Sequence, residues 1–109
     1  MATVYNLTID QGSTFSTSII VSDDVGVARD LNSYSARGQL RRSYSSTSNV
    51  SFTININDPD NGEFTVSLSA DQTANLKYGR YVYDIEIYNG GSVERILEGI
   101  VTVYPEVTK

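Results

Sequence analysis

Strict alternation of apolar and polar residues in short runs, together with a Leu-x-x-Gly-x-Tyr spacing at Leu76, Gly79 and Tyr81, predicts an all-β fold of the Greek-key sandwich class. The alternation is clearest at Tyr81, Tyr83, Ile85 and Ile87. After a turn at Asn89, Gly90 and Gly91, it is answered by Val93, Leu97, Val101 and Val103. Paired, half-buried strands carry this signature because successive side chains point to opposite faces of a sheet. The tyrosine spacing is that of a tyrosine corner, in which a Tyr near the start of a late strand hydrogen-bonds back across the connection before it.

The remaining elements follow in order. A first strand is expected over Val4 to Ile9, with Tyr5, Leu7 and Ile9 on one face, broken by Asp10, Gln11 and Gly12. A second runs from Thr14 to Val21, with Phe15, Thr17, Ile19 and Val21 sharing a face. The stretch Asp23, Asp24, Val25, Gly26 reads as a hairpin tip leading into Val27 to Leu31, and Asn32 and Ser33 turn the chain again. From Tyr34 to Arg42, the small residues Ala36 and Gly38 and then Leu40 alternate with Arg37, Gln39 and Arg41, which places the long polar side chains outward. Gly38 on the inward side implies close packing against a large ring. Arg42 to Asn49 is Ser-rich and aperiodic, as a surface loop is. Phe52, Ile54 and Ile56, a turn at Asp58 to Gly62, and Phe64, Val66 and Leu68 form a second hairpin. Ser69 with Gln72 three residues on has the spacing of a capping box, predicting a helical turn over Ala70 to Leu76. The sum is an Ig-like sandwich of seven or eight strands with one short helical crossover, a single domain over residues 1–109.

Composition narrows the function. With no Cys and no His among 109 residues, disulfides, thiolate metal sites, thiol nucleophiles and the commonest general base are all unavailable. A formal charge of -5 disfavours a phosphate-binding face, so no nucleic-acid partner is expected. No run approaches a membrane span and no leader-like segment opens the chain, so no membrane partner and no secretion are expected.

Catalysis would have to rest on carboxylates. Asp84 and Glu86, two apart on one strand face, could be offered as a pair, and a cross-strand charge ladder with Arg37 and Arg41 on the neighbouring strand accounts for them better. Asp58, Asp60, Asn61 and Glu63 miss the calcium-loop pattern at Gly62 and Ser69 and are read as a turn, so neither a metal nor another cofactor is expected. Eight Tyr raise the alternative of a carbohydrate-stacking surface, with Tyr44 and Tyr88 at loops or strand ends as its candidates. Core or rim packing of the tyrosines is preferred.

Protein contact is the stronger expectation. Ile96 and Ile100, alternating with Glu94 and Glu98, would leave a partly apolar outward stripe that an isolated monomer does not need. Arg41 and Arg42 form the one basic cluster and would anchor an acidic patch on a neighbouring copy. The first strand, at a sheet edge, is suited to strand addition.

Several passages resemble a known group. These are Ile9 to Gly12 followed by Phe15, Asp30 and Leu31 through Tyr34 to Ala36, Leu76 to Tyr83, and Leu97 to Gly99 with Val101 and Val103. In that order they resemble small β-sandwich virion structural proteins of tailed bacteriophages, including those of cyanophages. They are also similar to the N-terminal domain of phage baseplate upper proteins. The resemblance covers nearly the whole chain. It implies a non-enzymatic assembly or decoration module of the capsid, neck, tail or baseplate, made in the host cytoplasm and carried on the virion. Its partners would be other virion proteins and further copies of itself. The alternative is a sugar-binding module on the virion surface that aids host attachment.

Overall fold

The alternating segments pair into two sheets in the computed structural model, which describes residues 3–22, 26, 29–43, 45 and 49–107. In chain order the strands are β1 (Thr3–Val4), β2 (Leu7–Asp10), β3 (Phe15–Ile20), β4 (Ser35–Arg41), β5 (Val50–Ser51), β6 (Thr53–Asp58), β7 (Glu63–Leu68), β8 (Gly79–Asn89) and β9 (Ser92–Tyr104), with helix α1 (Ala70–Ala74) before β8. The larger sheet has six strands in the order β1-β9-β8-β4-β5, with β2 also pairing β9, and the smaller runs β3-β7-β6. β1 and β2 lie parallel to β9, and the other pairs are antiparallel.

Nine strand segments stand among the described residues, more than the seven or eight expected, because two runs of alternation are interrupted. At Tyr5 the backbone carbonyl turns to accept the Tyr83 hydroxyl. At Phe52 the chain leaves one sheet for the other, so that β5 pairs with β4 while β6 pairs with β7.

The core lies between the sheets. Leu7, Ile9, Leu40, Phe64, Val66, Leu68, Tyr81, Tyr83, Ile85, Ile87, Leu97, Val101 and Val103 are all buried there. Each comes from the apolar half of its alternation, as burial of one face of a sheet requires. Gly38 is buried too, but its close neighbours are aliphatic rather than aromatic. A Cβ there would stand 2.9 Å from Ile85 Cγ1 and 3.2 Å from Ile54 Cδ1.

Three local expectations are met. Ser69 accepts from the Gln72 amide at 3.2 Å while the Gln72 side chain accepts from the Ser69 amide at 2.8 Å, the reciprocal capping box that starts α1. The Tyr81 hydroxyl donates to the Lys77 carbonyl at 2.7 Å, closing the corner between α1 and β8. Asp58 to Gly62 is a tight turn of 3-10 type, with Gly62 at φ 71° and Asn61 donating to Asp58 at 2.8 Å.

Two are not. The strand expected over Val27 to Leu31 is not continued at Arg29 to Leu31, which hold instead to other parts of the chain. The Arg29 amide bonds to the Val21 carbonyl at 2.9 Å and the Leu31 amide to the Pro59 carbonyl at 2.8 Å. Asp30 draws the chain out of a ladder by accepting the Asn32 amide, and Ser33 follows at φ 70°. Val27, Ala28 and the hairpin tip at Asp23 to Val25 lie outside the described residues.

The second departure concerns β9. Its register against β8 shifts between Ile85 and Glu86: Leu97 pairs with Ile85, but Arg95 pairs with Glu86. Ile96 is the extra residue, a β-bulge, and both Ile96 and Leu97 turn inward. Ile96 is therefore not part of an outward stripe. It is 4% exposed, whereas Val93, expected in the core, is 53% exposed. No helix among the described residues is long and apolar enough to cross a membrane.

Candidate interaction face

The outer face of the larger sheet brings together most of the polar residues singled out above. Three consecutive strands, β4, β8 and β9, supply it. Its rungs are read from the pairing: Tyr88 with Val93, then Arg37, Glu86 and Arg95, then Gln39, Asp84 and Glu98, then Arg41, Val82 and Ile100. Alternation fixes the outward set on β4 and β8, and the bulge fixes it on β9 by reversing the parity on its N-terminal side.

The charges on this face are organised in pairs. Arg37 Nε donates to Glu86 Oε1 at 3.0 Å, and Arg95 Nε lies 3.3 Å from Asp84 Oδ2. Arg37 also sits over the Tyr88 ring, 4.7 Å from its centroid, covering one face of a ring that the carbohydrate alternative would need free. Arg41 donates to Gln39 at 3.1 Å. Asp84 is drawn partly out of water, and this burial raises its pKa above the ordinary carboxylate value. Arg95 opposes the rise, Glu86 adds to it, Arg41 opposes it again, and Glu98 directly across the strand adds to it. A shallow concavity of about 620 Å³ is lined by Arg37, Gln39, Arg41, Asp84, Glu86 and Arg95, with Ile100, 40% exposed, on the rung beside Val82.

The other expected site residues fall elsewhere. Glu94 pairs with Ile87 and so lies on the opposite side of β9 from Glu98. There Arg29 grips it with two nitrogens, at 2.7 and 2.8 Å, a bidentate pair that holds Glu94 below the usual glutamate pKa and Arg29 above the usual arginine value. Arg42 is a clamp rather than half of a basic patch. It donates to the Tyr78 carbonyl at 3.0 Å and the Arg80 carbonyl at 3.2 Å, with its guanidinium 4.5 Å from the Tyr81 ring centroid. Tyr44 lies outside the described residues.

The ladder between Arg37 and Glu86 is as expected, and the partner of Asp84 is where the sequence reading fell short. Arg95 was hidden because uninterrupted alternation in β9 points it inward. The signal for it was the adjacent Ile96, Leu97 pair, two large apolar residues side by side where one bulge buries both. Arg29 carried no local signal. Its partner is 65 residues away. Among the described residues no group of three His, Cys, Asp or Glu side chains is placed to hold a metal ion.

No protein-family model matches the chain, and no curated protein does. Among solved structures, the chain is similar to a crystal structure of InlP from Listeria monocytogenes. The TM-score is 0.50 at 18% identity, over 94% of this chain and 28% of that one. The chain thus spans less than a third of that protein's length, and at this identity the likeness bears on the fold alone: two sheets in an all-β sandwich.

Proposed function

We propose that the chain is a non-enzymatic structural module of a tailed-phage virion, working through protein–protein contacts at the capsid, neck, tail or baseplate. The finer architecture in this reading is Ig-like. The order β9-β8-β4 facing β3-β7-β6, a first strand that runs parallel to the last, and a helical crossover ending in a tyrosine corner all support it.

The observation that carries the functional reading is the outer face of the larger sheet. Arg37 pairs with Glu86 and Arg95 with Asp84, and Val93 and Ile100 are exposed on the rungs to either side. Paired charges flanked by exposed apolar side chains make a surface of mixed polarity, the composition that a protein partner covers.

Mass spectrometry of density-purified particles from the host carrying the gene tests this. Recovery of the chain in fixed stoichiometry with the major virion proteins supports the role, and its absence from particles while abundant in the lysate overturns it.

A further inference from the structure

The edges of the two sheets are unequally protected. In the larger sheet one edge is β1 and β2, split at Tyr5 and Asn6, and the other is β5, two residues long. In the smaller sheet β6 has a register irregularity between Ile56 and Asp58 and ends on a carboxylate. β3 has none of these devices. Its six residues, Phe15 to Ile20, contain no charge, proline or glycine, and pair without a break from Phe15 opposite Leu68 to Ile20 opposite Glu63. Among the described residues β7 is its single strand neighbour. An exposed edge of this kind offers a row of backbone donors and acceptors to any strand that fits, which is why short strands, charges and bulges so often guard such edges.

We propose that β3 is an assembly edge that pairs antiparallel with β3 of a second copy, across a two-fold axis at Thr17, joining two three-stranded sheets into one of six. The sequence of the strand selects a second copy. Centred on Thr17, the antiparallel register sets Phe15 opposite Ile19 of the other copy on the core-facing side and Ser16 opposite Ser18 on the outer side. Each pair is matched in polarity, and the face of every residue is preserved.

Charge favours the same partner. The outer side of β3 and the strand beside it carry Ser16, Ser18, Thr65 and Ser67 around the axis and Ile20 with Glu63 at one end, so the two-fold sets the two Glu63 carboxylates at opposite ends of the contact despite a net charge of -5. A mainly polar cleft of about 340 Å³ runs beside β3, with Asn6, Thr8, Asp10, Ser13 and Thr17 in its lining and Tyr5, 45% exposed, at its end. The contact deepens the proposed assembly role by naming one partner, and it can fail separately, because a monomer can still be built into a particle.

Sedimentation velocity on the full chain reads the contact. A reversible monomer–dimer equilibrium is expected, and Ser16→Lys with Ser18→Lys, which faces ammonium groups across the axis, is expected to weaken it by about tenfold or more without altering the circular dichroism spectrum. The chain has no Cys, so Thr17→Cys places a unique thiol on the axis and is expected to give a disulfide-linked dimer on mild oxidation. Ile100→Glu, on the other sheet, is expected to leave association unchanged. A chain monomeric up to about 1 mM with no Thr17→Cys cross-link overturns the proposal. So does a dimer indifferent to the lysine pair, or one dissolved by Ile100→Glu, which moves the contact to the larger sheet.

Discussion

Arg95 reaches Asp84 at 3.3 Å, one rung along from its register partner Glu86, which is held instead by Arg37 at 3.0 Å. The diagonal follows from the bulge at Ile96, which brings Arg95 to the outer face beside two carboxylates and leaves Glu98 directly opposite Asp84. Both pairs are substantially exposed, so each is worth ~0.2–1 kcal/mol and weakens with salt. The larger consequence is for titration. Burial holds the Asp84 pKa above its ordinary value, so the folded chain takes up a proton at higher pH than the unfolded one. This site therefore adds stability as pH falls through that window and costs stability above it. Asp84→Asn is expected to leave stability at pH 7 unchanged or slightly higher. Arg95→Ala is expected to raise the Asp84 pKa further, which carboxyl-resolved NMR titration will show.

Ile96 and Ile100 separate the core from the outer face. Ile96→Asp places an unpaired carboxylate among buried aliphatics and is expected to cost ~3 kcal/mol or more, enough to unfold a marginal domain. Ile100→Asp changes a side chain already 40% exposed, and its expected cost in denaturant unfolding is ~1 kcal/mol. Equal effects of the two substitutions would contradict the bulge.

The first strand is fastened over Gly99. A Cβ at that position would collide with the Tyr5 carbonyl oxygen, the same oxygen that accepts the hydroxyl of Tyr83 from the strand beside it. Gly99→Ala is expected to push this segment off the sheet at a cost of ~1–3 kcal/mol, with faster hydrogen exchange at the amides of Tyr5 and Ile100, which bond across this junction. Tyr83→Phe keeps the ring but strips the carbonyl of its donor, for an expected loss of ~1–2 kcal/mol in urea unfolding.

The Arg29 and Glu94 pair sets an acid limit. The hydrogen bonds from Arg29 lower the Glu94 pKa, so the stability this pair adds is present above the unfolded glutamate value of 4.5 and is lost as pH falls through the lower folded value. With Glu94 about half exposed, the contribution is ~0.5–1 kcal/mol. Glu94→Gln is expected to lose that amount at pH 7 and to match the parent chain near pH 2. Thermal unfolding at the two pH values checks it.

Much of the fold was legible because single-face burial leaves period-two alternation in the sequence. The hairpin of β6 and β7, the capping box at Ser69 and the corner at Tyr81 each rest on residues close together in the chain. What escaped was non-local or broke the period. The bulge at Ile96 inverts the parity of the residues before it, so Val93 lies outward and Glu94 inward, against the expectation, and Arg95 joins the outer face. The grip of Arg29 on Glu94 and of Arg42 on the Tyr78 and Arg80 carbonyls joins segments that only the folded sheets bring together.

The proposed structural module is expected to meet another protein of the particle through its larger sheet. Cryo-electron microscopy of the purified particle, at a resolution that shows side chains, reads this contact. The expected map places the chain in the particle with density from another protein over Val93, Arg95 and Ile100. A map in which the chain is present but that face stands open to solvent rules the contact out.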